Sequence, residues 1–274
     1  MDETHVMKSL VLYCYKESPE TITNLAFFLK HGVSDSADFV FIVNNMKCSL
    51  PFPSNTTVIR RQEDEYDLLT YKWYFDTYNP QYTNYYFINS SCIGPFLPPV
   101  ITDNWITIFN KKLESYDLIA PIIEFPQDSC GNSLIGNSST TNIPFLHTYM
   151  FGTKSPETLK LLFGRMENNS QDSVISYERM LTSIFLTNGK TIFSFLMAFK
   201  NIDVNNESLW NWKLWNPSNI SCYEVPENYF SIDVNPLEVV FVKNIRKIHK
   251  HREESRSGLS QALKNLLTLY ISWY

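Results

Sequence analysis

The chain has 274 residues, 44% of them hydrophobic, and a formal net charge of −5. That is enough apolar material for a sizeable core and too little positive charge for a general nucleic-acid binder, which must replace counterions along a phosphate backbone. Cys14, Cys48, Cys92, Cys130 and Cys222 are odd in number and unclustered, so they read as reduced thiols and not as a zinc site.

Lys8–Glu17 (KSLVLYCYKE) reads as a first strand. Ser18–Gly32 follows as a helix, with Ser18 as N-cap, Pro19 at the first position, Glu20 at the positive end of the dipole and Gly32 as its stop. Ala37–Asn45 and Asn55–Arg61 are the next strands and Glu63–Tyr78 a helix. Asn84–Ile88 is then an aromatic, β-branched strand that turns polar at Asn89, Ser90 and Ser91 and ends at Gly94-Pro95. Beyond Pro99, Asp103–Ser115 reads as a helix and Tyr116–Ile123 as a strand, and Phe125–Pro144 as a long loop with the composition of a lid. Phe145–Thr153 is another strand, Ser155–Thr158 repeats the Ser-Pro-Glu-Thr helix start, and Ser173–Gly189 is a further helix. The last third, including LWNWKLWNPSN and NPLEVVFVKNIRK, reads as irregular until a terminal helix from about Ser257. Alternating strands and helices imply an α/β fold, a sheet of mainly parallel strands flanked by helices. The longest strongly apolar run, Thr191–Phe199, is far short of the ~20 residues that span a bilayer, and residues 1–10 lack a signal peptide's basic start and apolar stretch. The expectation is a soluble, cytoplasmic protein.

Several motifs are missing from the 274 residues. No G-x-G-x-x-G or G-x-S-x-G occurs, and the Gly189-Lys190-Thr191 triplet has Ile184 where a phosphate loop needs glycine, which points away from dinucleotide enzymes, P-loop NTPases and serine hydrolases. Glu178 stands out. It lies four residues after Val174, three before Leu181 and seven before Phe185, on one helical face, where a carboxylate is costly unless paired or functional. The basic run Lys243–Arg252 suits either one phosphorylated ligand or a solvated helix face.

Six segments in order, Tyr85–Pro99, the stretch around Trp105, Tyr116–Ile123, Phe145–Gly152, Ser176–Lys190 and Asn235–Arg246, resemble nucleotide-sugar glycosyltransferases of the GT-A fold. The resemblance is above all to those that large viruses of chlorella-like algae use to glycosylate capsid proteins, and more distantly to bacterial rhamnan-synthesis enzymes. It implies a single GT-A-like domain over residues 1–274: a nucleotide-sugar-binding half to about residue 100, an acceptor-binding half over about 101–250 and a C-terminal helix over about 255–274. The implied reaction moves a monosaccharide from a UDP- or other nucleotide-sugar, UDP-xylose being the viral suggestion, to a hydroxyl of an oligosaccharide or glycoprotein, with inversion. The implied partners are donor and acceptor, without nucleic acid or membrane insertion.

In that fold the strand before Asn89 ends in Asp-x-Asp, whose carboxylates hold Mn²⁺ or Mg²⁺ against the donor diphosphate. Asn89-Ser90-Ser91 has no carboxylate, and neutral oxygens hold such hard cations weakly. The expectation is therefore no required metal, or a loosely held Mn²⁺ or Mg²⁺, with Lys243 and Arg246 balancing the leaving diphosphate. Asn89, Ser90 and Ser91 are left to hydrogen-bond the donor or to cap their own turn. The resemblance makes Glu178 the catalytic base, in a Tyr-Glu-x-x-x-Ser/Thr pattern matched by Tyr177 and Thr182 or Ser183. It sets Asp67 and Tyr71 toward the nucleotide, Tyr15 and Glu17 where the base is received, with Tyr15 able to stack on uracil, and His147 and Trp105 toward the acceptor. Trp210, Trp212 and Trp215 line an acceptor groove or pack in the core. The competing readings are a retaining transferase and a non-catalytic glycan- or nucleotide-binding protein of the same fold.

Overall fold

The structure, a computed structural model, describes residues 8–124, 143–167, 170–197, 203–209, 234–243 and 261–273. Its centre is strand β1 (Ser9–Tyr15), every residue of which is buried because helices cover both faces. Helix α1 (Pro19–His31) starts as its sequence dictates. The Ser18 hydroxyl accepts the Thr21 N–H while the Thr21 side chain accepts the Ser18 N–H, a reciprocal cap. Strands β2 (Asp38–Val43) and β3 (Thr57–Arg60) follow, then α2 (Asp67–Tyr78), β4 (Asn84–Asn89), the short β5 (Cys92–Ile93), α3 (Trp105–Ser115) and β6 (Leu118–Ala120). β7 (Ile123–Glu124) and β8 (Phe145–Leu146) precede β9 (Met150–Thr153), α4 (Pro156–Phe163), α5 (Gln171–Thr187) and β10 (Ile192–Ser194). A one-turn helix, Pro236–Val239, leads into β11 (Val242–Lys243), and a helix spans Gln261–Trp273.

Seven strands form one sheet in the order β10-β6-β9-β4-β1-β2-β3. Leu10 to Tyr15 pair in parallel with Asp38 to Val43, and Cys14 lies beside Asn89. Among these strands β9 alone runs the other way, with Ile88 opposite Met150 and Ile119 opposite Gly152. The sheet is thus mixed and mainly parallel. Phe87 stacks on Phe151 across the β4–β9 pair at 4.5 Å, and such buried side chains each contribute about 1.5–3 kcal/mol.

Four stretches differ from the sequence expectation, each for a local reason. Helix α2 begins at Asp67 and not at Glu63, because the preceding backbone is used elsewhere: the Arg61 and Glu63 carbonyls accept the Met46 and Asn45 N–H groups. Tyr116–Ile123 breaks after Ala120 at Pro121, which has no N–H to give a ladder. Phe145–Thr153 is two strands, since β8 pairs with β7 while His147 donates its N–H to the Ile122 carbonyl (3.1 Å). The stretch around residue 240 is ordered: the Asn235 side chain accepts the Leu237 N–H, and β11 pairs antiparallel with β5. Gly94 permits that pairing, for with φ at 154° a Cβ there would stand 2.6 Å from the Val240 carbonyl oxygen. Residues 125–142 of the expected loop Phe125–Pro144, and Trp210, Trp212, Trp215 and Arg246, lie outside the described residues. Among the described residues no helix is long and apolar enough to cross a membrane.

Candidate functional site

The carboxyl ends of parallel strands form a rim where ligands of α/β sheets collect, and the sheet brings a specific set of side chains to it. Because β9 is reversed, the residues that lead into it, His147 to Tyr149, sit beside the end of β4, and the Tyr149 carbonyl accepts the Asn89 N–H at 2.9 Å. Helix α5 crosses the same place. Its Leu181 and Phe185 are fully buried, and the Thr182 hydroxyl accepts the Leu146 N–H at 2.8 Å. Glu178, one turn earlier, receives a hydrogen bond at Oε1 from the Thr148 hydroxyl. β11 brings in Lys243, paired with Cys92 just beyond the Asn89-Ser90-Ser91 turn.

Electrostatics tie this set together. Burial pushes the Glu178 carboxyl above the ordinary glutamate value and the charge of Asp67 raises it further, against the Lys243 cation, the Thr148 hydrogen bond and His147, which lower it. Burial likewise raises Asp67, opposed by hydrogen bonds from Asn89 and the Leu68 N–H and by Lys243. Both half-buried carboxyls thus feel the charge of Lys243. Carboxyls raised in this way by burial are better proton acceptors than ordinary ones.

The Asn89-Ser90-Ser91 turn is largely committed within the protein. The Asn89 amide donates to Asp67 Oδ2 (2.5 Å), and its Oδ1 accepts the Ser91 N–H (3.0 Å) and hydroxyl (2.5 Å). Ser90 is buried, its carbonyl accepting the Asn24 amide at 2.9 Å. Asp67 Oδ1 takes the Leu68 N–H. The strand end therefore presents no uncommitted charged oxygen of the kind Mn²⁺ or Mg²⁺ needs, and no group of three metal-ligating side chains occurs among the described residues. With these side chains as they stand, the strand-end turn itself offers such a cation only neutral oxygens.

No protein-family model matches the chain, and no curated protein matches it in sequence. Among solved structures it is similar to the mannosyltransferase PcManGT from Pyrobaculum calidifontis in complex with GDP-Man and Mn²⁺, at 13% identity over 69% of this chain and 54% of that one, with a TM-score of 0.39. It is also similar to the apo-form glycosyltransferase GlyE of Streptococcus pneumoniae (12% identity, 96% of this chain, 60% of that one, TM-score 0.43) and to A197 from STIV (10%, 69%, 81%, 0.36). The chain spans only a little over half the length of the first two.

Other sequence candidates lie apart from the cluster or deep in the core. Trp105 is 1% exposed, gives its indole N–H to the Gly32 carbonyl at 2.7 Å and packs on Phe28, Tyr86 and Phe241; it is a core residue with no face toward a ligand. Tyr15 is fully buried and offers no open ring for a base. Tyr71 is fully buried one turn below Asp67, edge-on to Phe87. Glu17 accepts the Ser49 N–H at 2.6 Å and pairs with Lys47, tying the end of β1 to the loop after β2. His147 lies in the connection into β9, its ring beside Phe145 and Tyr149. Sequence reasoning missed Thr148 and Asn24. Thr148 gave no signal of its own, whereas Asn24, polar on the inward face of an apolar helix, was a readable one.

Proposed function

We propose that the chain is a GT-A-type glycosyltransferase that moves a monosaccharide from a nucleotide-sugar to a hydroxyl of a glycan acceptor with inversion. Supporting this reading is one observation above all: α2, β4, α5 and β11, far apart in sequence, bring Asp67, Asn89, Glu178 and Lys243 to one rim. Glu178 is the base. Thr148 fixes its Oε1, while Oε2 has no hydrogen bond among the described residues and takes the acceptor proton. The acceptor oxygen then attacks the anomeric carbon, and the bond from that carbon to the diphosphate breaks with its electron pair on the phosphate oxygen.

Lys243, joined by Arg246, carries the balancing charge for the departing nucleoside diphosphate, in place of a metal. Asp67 receives the nucleotide side of the donor. A UDP-sugar is the favoured donor, UDP-xylose first, on the sequence resemblance. The occupied hydrogen-bonding groups of Asn89 favour as a second reading a binding protein without turnover.

A thermal-shift screen of the protein with UDP, GDP and a set of nucleotide-sugars, each in EDTA or Mn²⁺, tests the assignment. A ligand at 100 times its Kd adds about 2.7 kcal/mol to the native state. UDP and one UDP-sugar should raise Tm in EDTA. No shift with any nucleotide refutes the transferase reading; a shift that appears only with Mn²⁺ refutes charge balance by Lys243 and Arg246. Binding without product formation from that sugar selects the second reading.

A further inference from the structure

A concave site lies away from the rim. Helix α2 packs over β4, with Phe75 against Tyr85 and Phe87, and a groove lies between its C-terminal end and β2 and the edge strand β3. The groove, floored by Val40 and Ile59, has a volume of about 360 Å³, toward the lower end of the ~300–1,000 Å³ typical of small-ligand clefts.

Its walls carry a particular chemistry. Tyr74, Tyr78 and Tyr82 line it, together with Asp38, Asn55 and Thr57. Tyr78 is 50% exposed with its ring 4.9 Å from that of Tyr74, so an aromatic surface lines the groove without being closed off by packing. Asp38 Oδ2 accepts from the Tyr82 hydroxyl (2.7 Å) and the Lys8 ammonium (2.6 Å), while Oδ1 has no hydrogen bond among the described residues. A purely apolar ligand would strip water from that carboxylate without replacing it, and an anion would meet it as a like charge. A ring with C–H groups on its face and hydroxyls on its rim satisfies both walls.

We propose that this groove is a saccharide-binding subsite that takes one pyranose ring of a glycan, its face on Tyr78 and a hydroxyl donating to Asp38. The groove is separate from the candidate catalytic rim. Tyr78 and Asp67 are at opposite ends of α2, which at ~1.5 Å per residue puts them about 16 Å apart along the helix. The inference stands on the groove itself and does not depend on the transferase reading.

The test is ligand-observed saturation-transfer NMR and calorimetry on the full chain, with methyl glycosides and short oligosaccharides of glucose, mannose, galactose, xylose and rhamnose as probes. At least one probe should bind, and Tyr78→Ala, with an unchanged Tm, should weaken it about tenfold or more. Asp38→Asn, which keeps the shape of the side chain, should weaken it as well. Glu178→Gln should leave this binding as it is. The proposal is overturned if no probe binds at about 10 mM, if Tyr78→Ala and Asp38→Asn both bind like the unmodified protein, or if binding is lost in Glu178→Gln alone.

Discussion

Glu178→Gln separates a base from a buried structural charge, because the two roles predict opposite pairs of results. As a general base, the carboxylate should contribute about 10²–10⁴-fold to turnover, so kcat should fall by that factor while the nucleotide-dependent rise in Tm persists. The stability effect follows from the site. The folded pKa of Glu178 is raised, chiefly by burial and then by Asp67, so its contribution to stability is present below the unfolded pKa and is lost as pH rises through the folded one. Glutamine resembles the protonated side chain and can still accept from Thr148. Tm should therefore be nearly unchanged in acid and equal to or above that of the unmodified protein at neutral pH. A structural ion pair with Lys243 predicts the reverse, since removing one partner of a buried pair costs about 3–5 kcal/mol. The assays are product formation from the donor found in the nucleotide screen and differential scanning calorimetry across pH. A large loss of Tm at neutral pH with turnover kept within about tenfold would refute the reasoning.

The acidic limb of the kcat/KM profile should lie above that of an ordinary glutamate, since Glu178 must be ionised to act and burial opposes its ionisation. It should move to lower pH in Asp67→Asn, which removes a like charge; a limb that stays in place would show that Asp67 does not face the base. Trp105→Ala should cost about 3–5 kcal/mol in chemical denaturation, as for other buried aromatic residues, with KM for the acceptor unchanged once the protein is folded; a raised acceptor KM at full stability would return Trp105 to the binding surface.

How far the chain could be read before its structure depends on whether the deciding interaction is local. The Ser18 cap with Pro19, the apolar run of β1 and the polar break after Ile88 are decided within a few residues, and each appears as the sequence implies. The direction of β9 is not local. Phe145–Thr153 has the same composition whether it runs with or against its neighbours, so neither its reversal nor its break at His147 was legible. Burial of the two aromatics was equally hidden: Tyr15 at the end of β1 and Trp105 at the start of α3 have the composition of ligand platforms, and only the tertiary packing closes over them. Glu178 was legible because a carboxylate on an apolar helical stripe conflicts with its surroundings; its neighbours Thr148 and Lys243 arrive through tertiary contacts that no spacing encodes.

The reversal of β9 also changes which stretches of chain are expensive to alter. In a sheet whose strands all run one way, each connection entering a strand lies at the far rim, and insertions there are remote from the ligand. Here the segment entering β9 carries Thr148, and the Tyr149 carbonyl holds the end of β4. A change of length or composition just upstream of residue 147 would thus reach both of these contacts within two or three residues. A change in the connections at the opposite rim would touch neither contact.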